Sequence, residues 1–211
     1  MIKTPSKREF HPPHIYRDNS CYFITSAVVG RRPFFDTDAN RILLRDLLKE
    51  EIMTLGFSLY AWVILSDHYH LLLKTKSTPI HTFIQRLHSK SAIELNKLDQ
   101  TPGRSVWHQY WDRFPRSDRD FWSYLNYIHI NPINHGYVRI ADGALWAEDR
   151  MVRIAPAHLL DVHDCLAQYP HSSYHFYRRE HGTEFLTNAW LSFPIPDYLA
   201  HDDFWLTTNN P

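Results

Sequence analysis

The sequence predicts an α+β protein: a ferredoxin-like split βαβ with a central antiparallel sheet, helices on one face, one additional helix and a C-terminal extension. Three observations carry that expectation. Residues 21–29 and 57–65 are apolar runs rich in β-branched and aromatic residues, and residues 68–74 carry Tyr69 and Leu71-Leu72-Leu73, compositions that suit buried strands. Stretches between and after these runs carry apolar residues at helical spacing. The second and third runs are parted only by Ser66-Asp67, which reads as a two-residue turn although it lacks the glycine of the tightest hairpins.

Taken in order, residues 1–20, with Pro5, Pro12 and Pro13, read as an extended arm. Residues 21–29 are apolar on both faces, as in a central strand, and Gly30-Arg31-Arg32-Pro33 breaks the chain. From about Asp38 a helix carries Ile42, Leu43, Leu47, Leu48, Ile52 and Leu55, and Gly56 ends it. After the two strands of the hairpin, Thr78 is the expected N-cap with Pro79 in the first turn. That helix continues through Ile80, Phe83, Ile84 and Leu87 to Leu95. Thr101-Pro102-Gly103 is a loop, and residues 105–111 form a fourth strand. Ser117 or Asp118 caps a third helix bearing Phe121, Leu125 and Ile128. Pro132 is expected to end it, because the residue before a proline is pushed out of helical geometry. The order β-α-β-β-α-β-α is that of a split βαβ sheet plus one helix. Beyond residue 140, helical character is expected around residues 157–168, and the last thirty residues read as loop-rich. The expected organisation is therefore an arm (1–20), a core (21–140) and an extension packed on or near that core (141–211).

Bulk properties narrow the function classes. No apolar run approaches the ~18 residues of a membrane span. Met1-Ile2-Lys3-Thr4-Pro5 lacks the apolar segment of a secretion signal. Cys21 and Cys165 suit neither a disulfide framework nor a structural zinc site, which favours the cytoplasm. Formal net charge is zero, yet residues 1–140 hold 19 Lys/Arg against 13 Asp/Glu, while residues 141–211 hold 4 against 10. A basic working region beside an acidic segment is compatible with a nucleic-acid partner.

The chemistry centres on His68-Tyr69-His70. Alternate residues of a strand share a face, so both imidazoles can meet one cation. Tyr127 and Asn131, four apart on the third helix, share a helical face and can approach the same cation. Tyr124 is the rival phenol, but Ile128 stands four residues beyond it and cannot bind a cation. The pair alone better suits two satisfied or half-exposed histidines, and imidazole serves several divalent ions. Arg31, Arg32, Arg86, Lys90, Arg104, Arg113 and Arg116 are candidate DNA-binding residues. Trp107, Tyr110 and Trp111 lie among them, an interleaving that suits phosphates and stacked bases as well as solvated charges over a core.

In order and spacing these motifs resemble the REP-associated tyrosine transposases, a branch of the single-tyrosine HUH nucleases. The stretches are Tyr22-Phe23-Ile24-Thr25, Gly30-Arg31-Arg32-Pro33-Phe34-Phe35, residues 61–72 around His68-Tyr69-His70, and Gln85-Arg86-Leu87-His88. They continue with Val106-Trp107-His108-Gln109, Tyr127-Ile128-His129-Ile130-Asn131-Pro132 and Tyr169-Pro170-His171-Ser172-Ser173-Tyr174, so the resemblance covers about residues 20–178. It implies a nuclease that cuts single-stranded DNA at or near hairpin-forming repeats. His68, His70 and Asn131 would hold magnesium or manganese, and Tyr127 would be the nucleophile. The implied product is a 5′-phosphotyrosine and a free 3′-hydroxyl. The chain departs from the family at Asn134-His135, where an arginine or lysine often precedes the glycine. That change is expected to remove a phosphate contact without touching the metal centre. The resemblance also implies a bacterial, nucleoid-associated cytoplasmic protein working as a monomer or homodimer. Rival readings are a non-catalytic nucleic-acid-binding protein or repressor on the same sheet, and a sheet used for protein contacts alone.

Overall fold

The first apolar run becomes strand β1 (Cys21–Val28), buried on both sides. The computed structural model describes residue 17 and residues 19–200, so the expected N-terminal arm lies almost wholly outside the described residues. β2 (Ser58–Ile64) and β3 (His68–Lys74) form the hairpin, and β4 (Trp107–Arg113) adds the fourth strand. The sheet order is β2-β3-β1-β4 with every pair antiparallel. This is the split βαβ arrangement, and the expected α+β fold is borne out. β4 lies two residues later than expected, because its ladder with β1 runs from Trp107, opposite Val28, to Arg113, opposite Phe23.

Alternation along β1 and β3 divides the core. Tyr22, Ile24, Tyr69, Leu71 and Leu73 face α1 (Asp38–Leu55) and α2 (Ile80–Leu98). The Thr37 side chain accepts from the Asn40 N–H to start α1, and Gly56 at φ 65° closes it in the left-handed region. α2 starts one residue later than expected, with Pro79 at the N-cap and no side-chain cap. On the other face Phe23 and Leu72 meet α3 (Asp118–Asn134), which crosses β2 and β3.

α3 departs from expectation at its end. Ser117 caps it, accepting from the Asp120 N–H at 3.1 Å, but the helix passes through Pro132 to Asn134. Proline removes one helical donor and strains the preceding turn, a local cost of about 3 kcal/mol. Burial of every residue from Ser123 to Ile133 outweighs that cost. The Pro132 carbonyl is also satisfied, accepting from Tyr137 N–H at 2.9 Å and Val138 N–H at 3.3 Å.

The outer side of α3 is covered by residues after 140. β5 (Leu145–Glu148), β6 (Met151–Ile154) and β7 (Ile195–Pro196) form a small sheet. α4 (Leu159–Leu166), α5 (Tyr174–Ser192) and α6 (Asp197–Ala200) complete the layer. α4 falls within the expected helical stretch. α5 corrects the loop-rich reading of the C-terminal residues; Gly182, at φ 82° and ψ 171°, breaks its helical geometry and with it the legible periodicity. Residues 169–173 cover the open edge of β2. Tyr169 Oη donates to the Ile64 carbonyl at 2.6 Å, Ile64 N–H to the His171 carbonyl at 3.0 Å, and Ser173 N–H to the Trp62 carbonyl at 2.8 Å.

Two substitutions test this packing by urea denaturation. Leu125→Ala, at a fully buried position between α3 and its neighbours, is expected to cost about 2–5 kcal/mol. Tyr169→Phe removes the donor to Ile64 and is expected to cost about 1 kcal/mol.

Candidate metal and nucleophile site

Strand alternation and helix position bring the predicted His68, His70 and Tyr127 side chains together. His68 and His70 occupy the α3-facing side of β3, in phase with Leu72, and their ring centroids are 5.0 Å apart. The Tyr127 ring stands 5.1 Å from that of His70 at 75°. Phe23 packs beside both, 5.8 Å from His70 and 5.9 Å from Tyr127. Asn131 follows one helical turn after Tyr127. His68, His70, Tyr127 and Asn131 are each no more than 1% exposed.

Both imidazoles have fixed orientations. His68 Nδ1 lies 2.6 Å from Asp67 Oδ1, and His70 Nδ1 lies 2.8 Å from Thr25 Oγ1. Asp67 can only accept, so His68 carries the proton on Nδ1 and turns Nε2 to a cation; Thr25 can donate or accept, and His70 would use Nε2 in the tautomer that donates to it. Asn131 adds the strongest local sign of a ligand site. Its Oδ1 and Nδ2 are both buried with no hydrogen-bond partner among the described residues, a costly state for an amide that coordination would relieve. Two imidazoles and an amide oxygen fit a divalent ion, with manganese better matched to nitrogen ligands than magnesium.

Asp67, read in the sequence only as part of a turn, is the hub of the orienting contacts. Burial pushes its carboxyl up, but the hydrogen bond from His68 and the charges of His68, Arg31 and His135 prevail, so it is held below the usual carboxylate range. Arg31 Nε reaches Asp67 Oδ2 at 2.8 Å. The Ser66 N–H donates to Tyr137 Oη at 2.8 Å, and the Ser66 hydroxyl meets the same phenol. The turn before His68 is thereby tied to the residues just after α3.

His135 is a further member missed by sequence reasoning. Its ring lies 4.6 Å from that of His68, so the change at Asn134-His135 does touch the predicted metal centre. The signal was present: 135 continues the spacing of 127 and 131, and the expected stop at Pro132 hid it. Thr25 had no such signal, since only the β1–β3 register places it opposite His70. His129, by contrast, points away from the site, with Nε2 at 3.0 Å from Ser173 Oγ.

The predicted DNA-binding cations divide. Arg31 is built into the site through Asp67, and exposed Arg32 follows it. Arg104 stacks over Phe34 at 4.3 Å and pairs with Asp99 at 2.6 Å. Arg86 and Lys90 lie on α2, in the layer behind the sheet, paired with Glu51 and Glu50 of α1. Arg113 stands opposite Phe23 on β4, half-buried, and Arg116 is exposed just beyond. The structure does not bring these seven together.

Known proteins share this architecture. The family model described as "Transposase IS200 like" matches residues 18–130. A Haemophilus influenzae protein assigned as a REP-associated tyrosine transposase is 29% identical over 130 residues, covering 56% of this chain and 73% of its own. An Escherichia coli REP-associated tyrosine transposase is 25% identical over 125 residues, covering 59% and 73%. A solved REP-associated tyrosine transposase bound to a REP hairpin superposes with a TM-score of 0.59 at 19% identity, covering 82% of this chain and 87% of that one. The fold is the same.

Burial of His129 generates a pH prediction. Desolvation pushes its imidazole down to about 3, against an ordinary value of 6.5. Its neutral form is therefore favoured by folding, a stabilisation fully present above pH 6.5 and lost as pH falls towards 3. The unfolding free energy is expected to drop through this window by up to about 1.4 kcal/mol per pH unit from this group. Nitrogen-15 chemical shifts are expected to show His129 still neutral at pH 5.

Proposed function

The chain belongs to the IS200-like transposase family, and on that premise we propose that it is a metal-dependent single-stranded DNA endonuclease and strand transferase. In this reading it acts on hairpin-forming repeats through a 5′-phosphotyrosine. The observation that carries the reading is the approach of the Tyr127 ring to within 5.1 Å of the His70 ring. Family membership and the REP hairpin bound by a structural relative support the choice of DNA.

The chemistry is a transesterification. Tyr127 Oη attacks the scissile phosphorus and loses its proton to water. The bond from phosphorus to the 3′-oxygen breaks, and that oxygen leaves as a 3′-hydroxyl after taking up a proton. Attack of a 3′-hydroxyl on the phosphotyrosine reverses the step and joins strands. An ordinary phenol, with pKa about 10, is a poor nucleophile at neutral pH. Magnesium or manganese held by His68, His70 and Asn131 would supply Lewis acidity at the phosphate. Asp67, which can only accept, keeps the shared proton on His68 Nδ1, and Thr25 orients the His70 ring, which supports Nε2 as the coordinating atom on each. Arg32, Arg104, Arg113 and Arg116 are proposed phosphate contacts along the strand, with Arg31 acting chiefly through Asp67. Arg86 and Lys90 would serve only DNA that wraps behind the sheet.

Full burial of Tyr127 favours one alternative, a non-catalytic hairpin-binding protein whose phenol never meets DNA. Incubation with single-stranded repeat hairpins and manganese, followed by denaturing electrophoresis, separates the two. A covalent protein–DNA adduct is expected from the wild type and none from Tyr127→Phe, which should still bind hairpins. Adduct formation by Tyr127→Phe would remove the nucleophile assignment. Asp67→Asn is expected to weaken manganese binding by about 10–100-fold in calorimetry; unchanged affinity would detach Asp67 from the metal.

A further inference from the structure

The site described so far is nearly closed to water, and this raises the question of which side chain a DNA phosphate meets on arrival. Tyr127 and Asn131 in α3 and His135 at its C-cap are spaced by four, and the first and last of this row meet β3. Tyr127 stands beside His70 and His135 beside His68, at 5.1 Å and 4.6 Å between ring centroids. The row changes character along its length. Tyr127 and Asn131 are 1% and 0% exposed, whereas His135 is half-buried. His135 is thus the member of the row that solvent reaches.

Its position is also fixed. The His135 backbone N–H closes α3 by donating to the Asn131 and Ile133 carbonyls. Gly136 then turns the chain at φ 70°, and Tyr137 is tied to Ser66 of the turn before His68. With its backbone held in this way and its ring packed against that of His68, the side chain needs little ordering when a ligand arrives, which is what a binding contact requires.

We propose that His135 is a substrate contact, donating an imidazole N–H to a nonbridging oxygen of the scissile phosphate in single-stranded DNA. The proposal rests on the nuclease reading above and adds to it a residue outside the predicted metal set. An imidazole carries at least one N–H donor in either protonation state. A hydrogen bond to a charged oxygen is worth roughly 10–100-fold in affinity.

The test uses a hairpin oligonucleotide on which the wild type forms its adduct, and a matched one with a methylphosphonate at the scissile position. In chelator, the wild type is expected to prefer the phosphate by roughly 10-fold. His135→Ala should lose that preference and slow adduct formation in manganese by a similar factor, while His135→Gln, which keeps a donor, recovers part of both. Manganese affinity of His135→Ala, read by calorimetry without DNA, should match the wild type. An undiminished phosphate preference in His135→Ala overturns the proposal and leaves the nuclease reading intact. Loss of manganese affinity in His135→Ala also overturns it, by making His135 part of the metal set. Absence of a wild-type adduct on every hairpin tried ends the nuclease reading and this proposal together.

Discussion

Two imidazoles removed from water beneath a helix constrain everything around them. Burying polar side chains without partners costs several kcal/mol, and His68 and His70 are 1% and 0% exposed. Asp67 and Thr25 each take one Nδ1. These contacts exist only because β3 lies between β1 and β2 in one register. A one-residue slip would turn Tyr69 and Leu71 towards α3 and drive both histidines into the apolar layer under α1 and α2. The hydrophobic pattern of β3 and the placement of its two histidines are therefore one requirement.

α3 is the second element on which the site depends, and it is shared between two layers. One side presents Tyr127 to β3. The opposite side is held by polar contacts with later residues. Ser123 Oγ donates to the Pro194 carbonyl at 3.0 Å, and Asn126 Nδ2 donates to the Ala189 and Phe193 carbonyls at 2.9 and 2.8 Å. His129 meets Ser173 on the same side. A helix buried all round has little freedom to rotate, so the residues after 140 help set where the phenol stands. The Tyr169–Tyr174 stretch contributes by occupying the edge of β2, which would otherwise offer unpaired backbone groups.

The cations show how composition misleads when read alone. Seven arginines and lysines looked interchangeable as phosphate contacts. In the fold, Arg86 and Lys90 neutralise Glu51 and Glu50 between helices, and Arg31 braces Asp67. The Lys90–Glu50 pair joins two exposed side chains and contributes little stability, whereas Glu51, Arg31 and Asp67 are largely shielded from water. These pairs decide which charges are held between elements of the fold, and a zero net charge conceals that division.

What the residues dictated by themselves follows from short-range physics. Alternation and helical spacing marked β1, β2, β3, α1, α2 and α3, because each must bury one face whatever its neighbours are. The same periodicities placed His68 with His70 and Tyr127 with Asn131. Only tertiary structure decided the rest. The β1–β3 register chose Thr25 as the partner of His70. Packing on both sides carried α3 through Pro132, against the local cost of a proline, and so brought His135 to His68. The C-terminal helix escaped notice because Gly182 interrupts it and its stability comes from contacts with distant residues. Local sequence specifies which face an element must hide; which surface it is hidden against depends on residues far away in the chain.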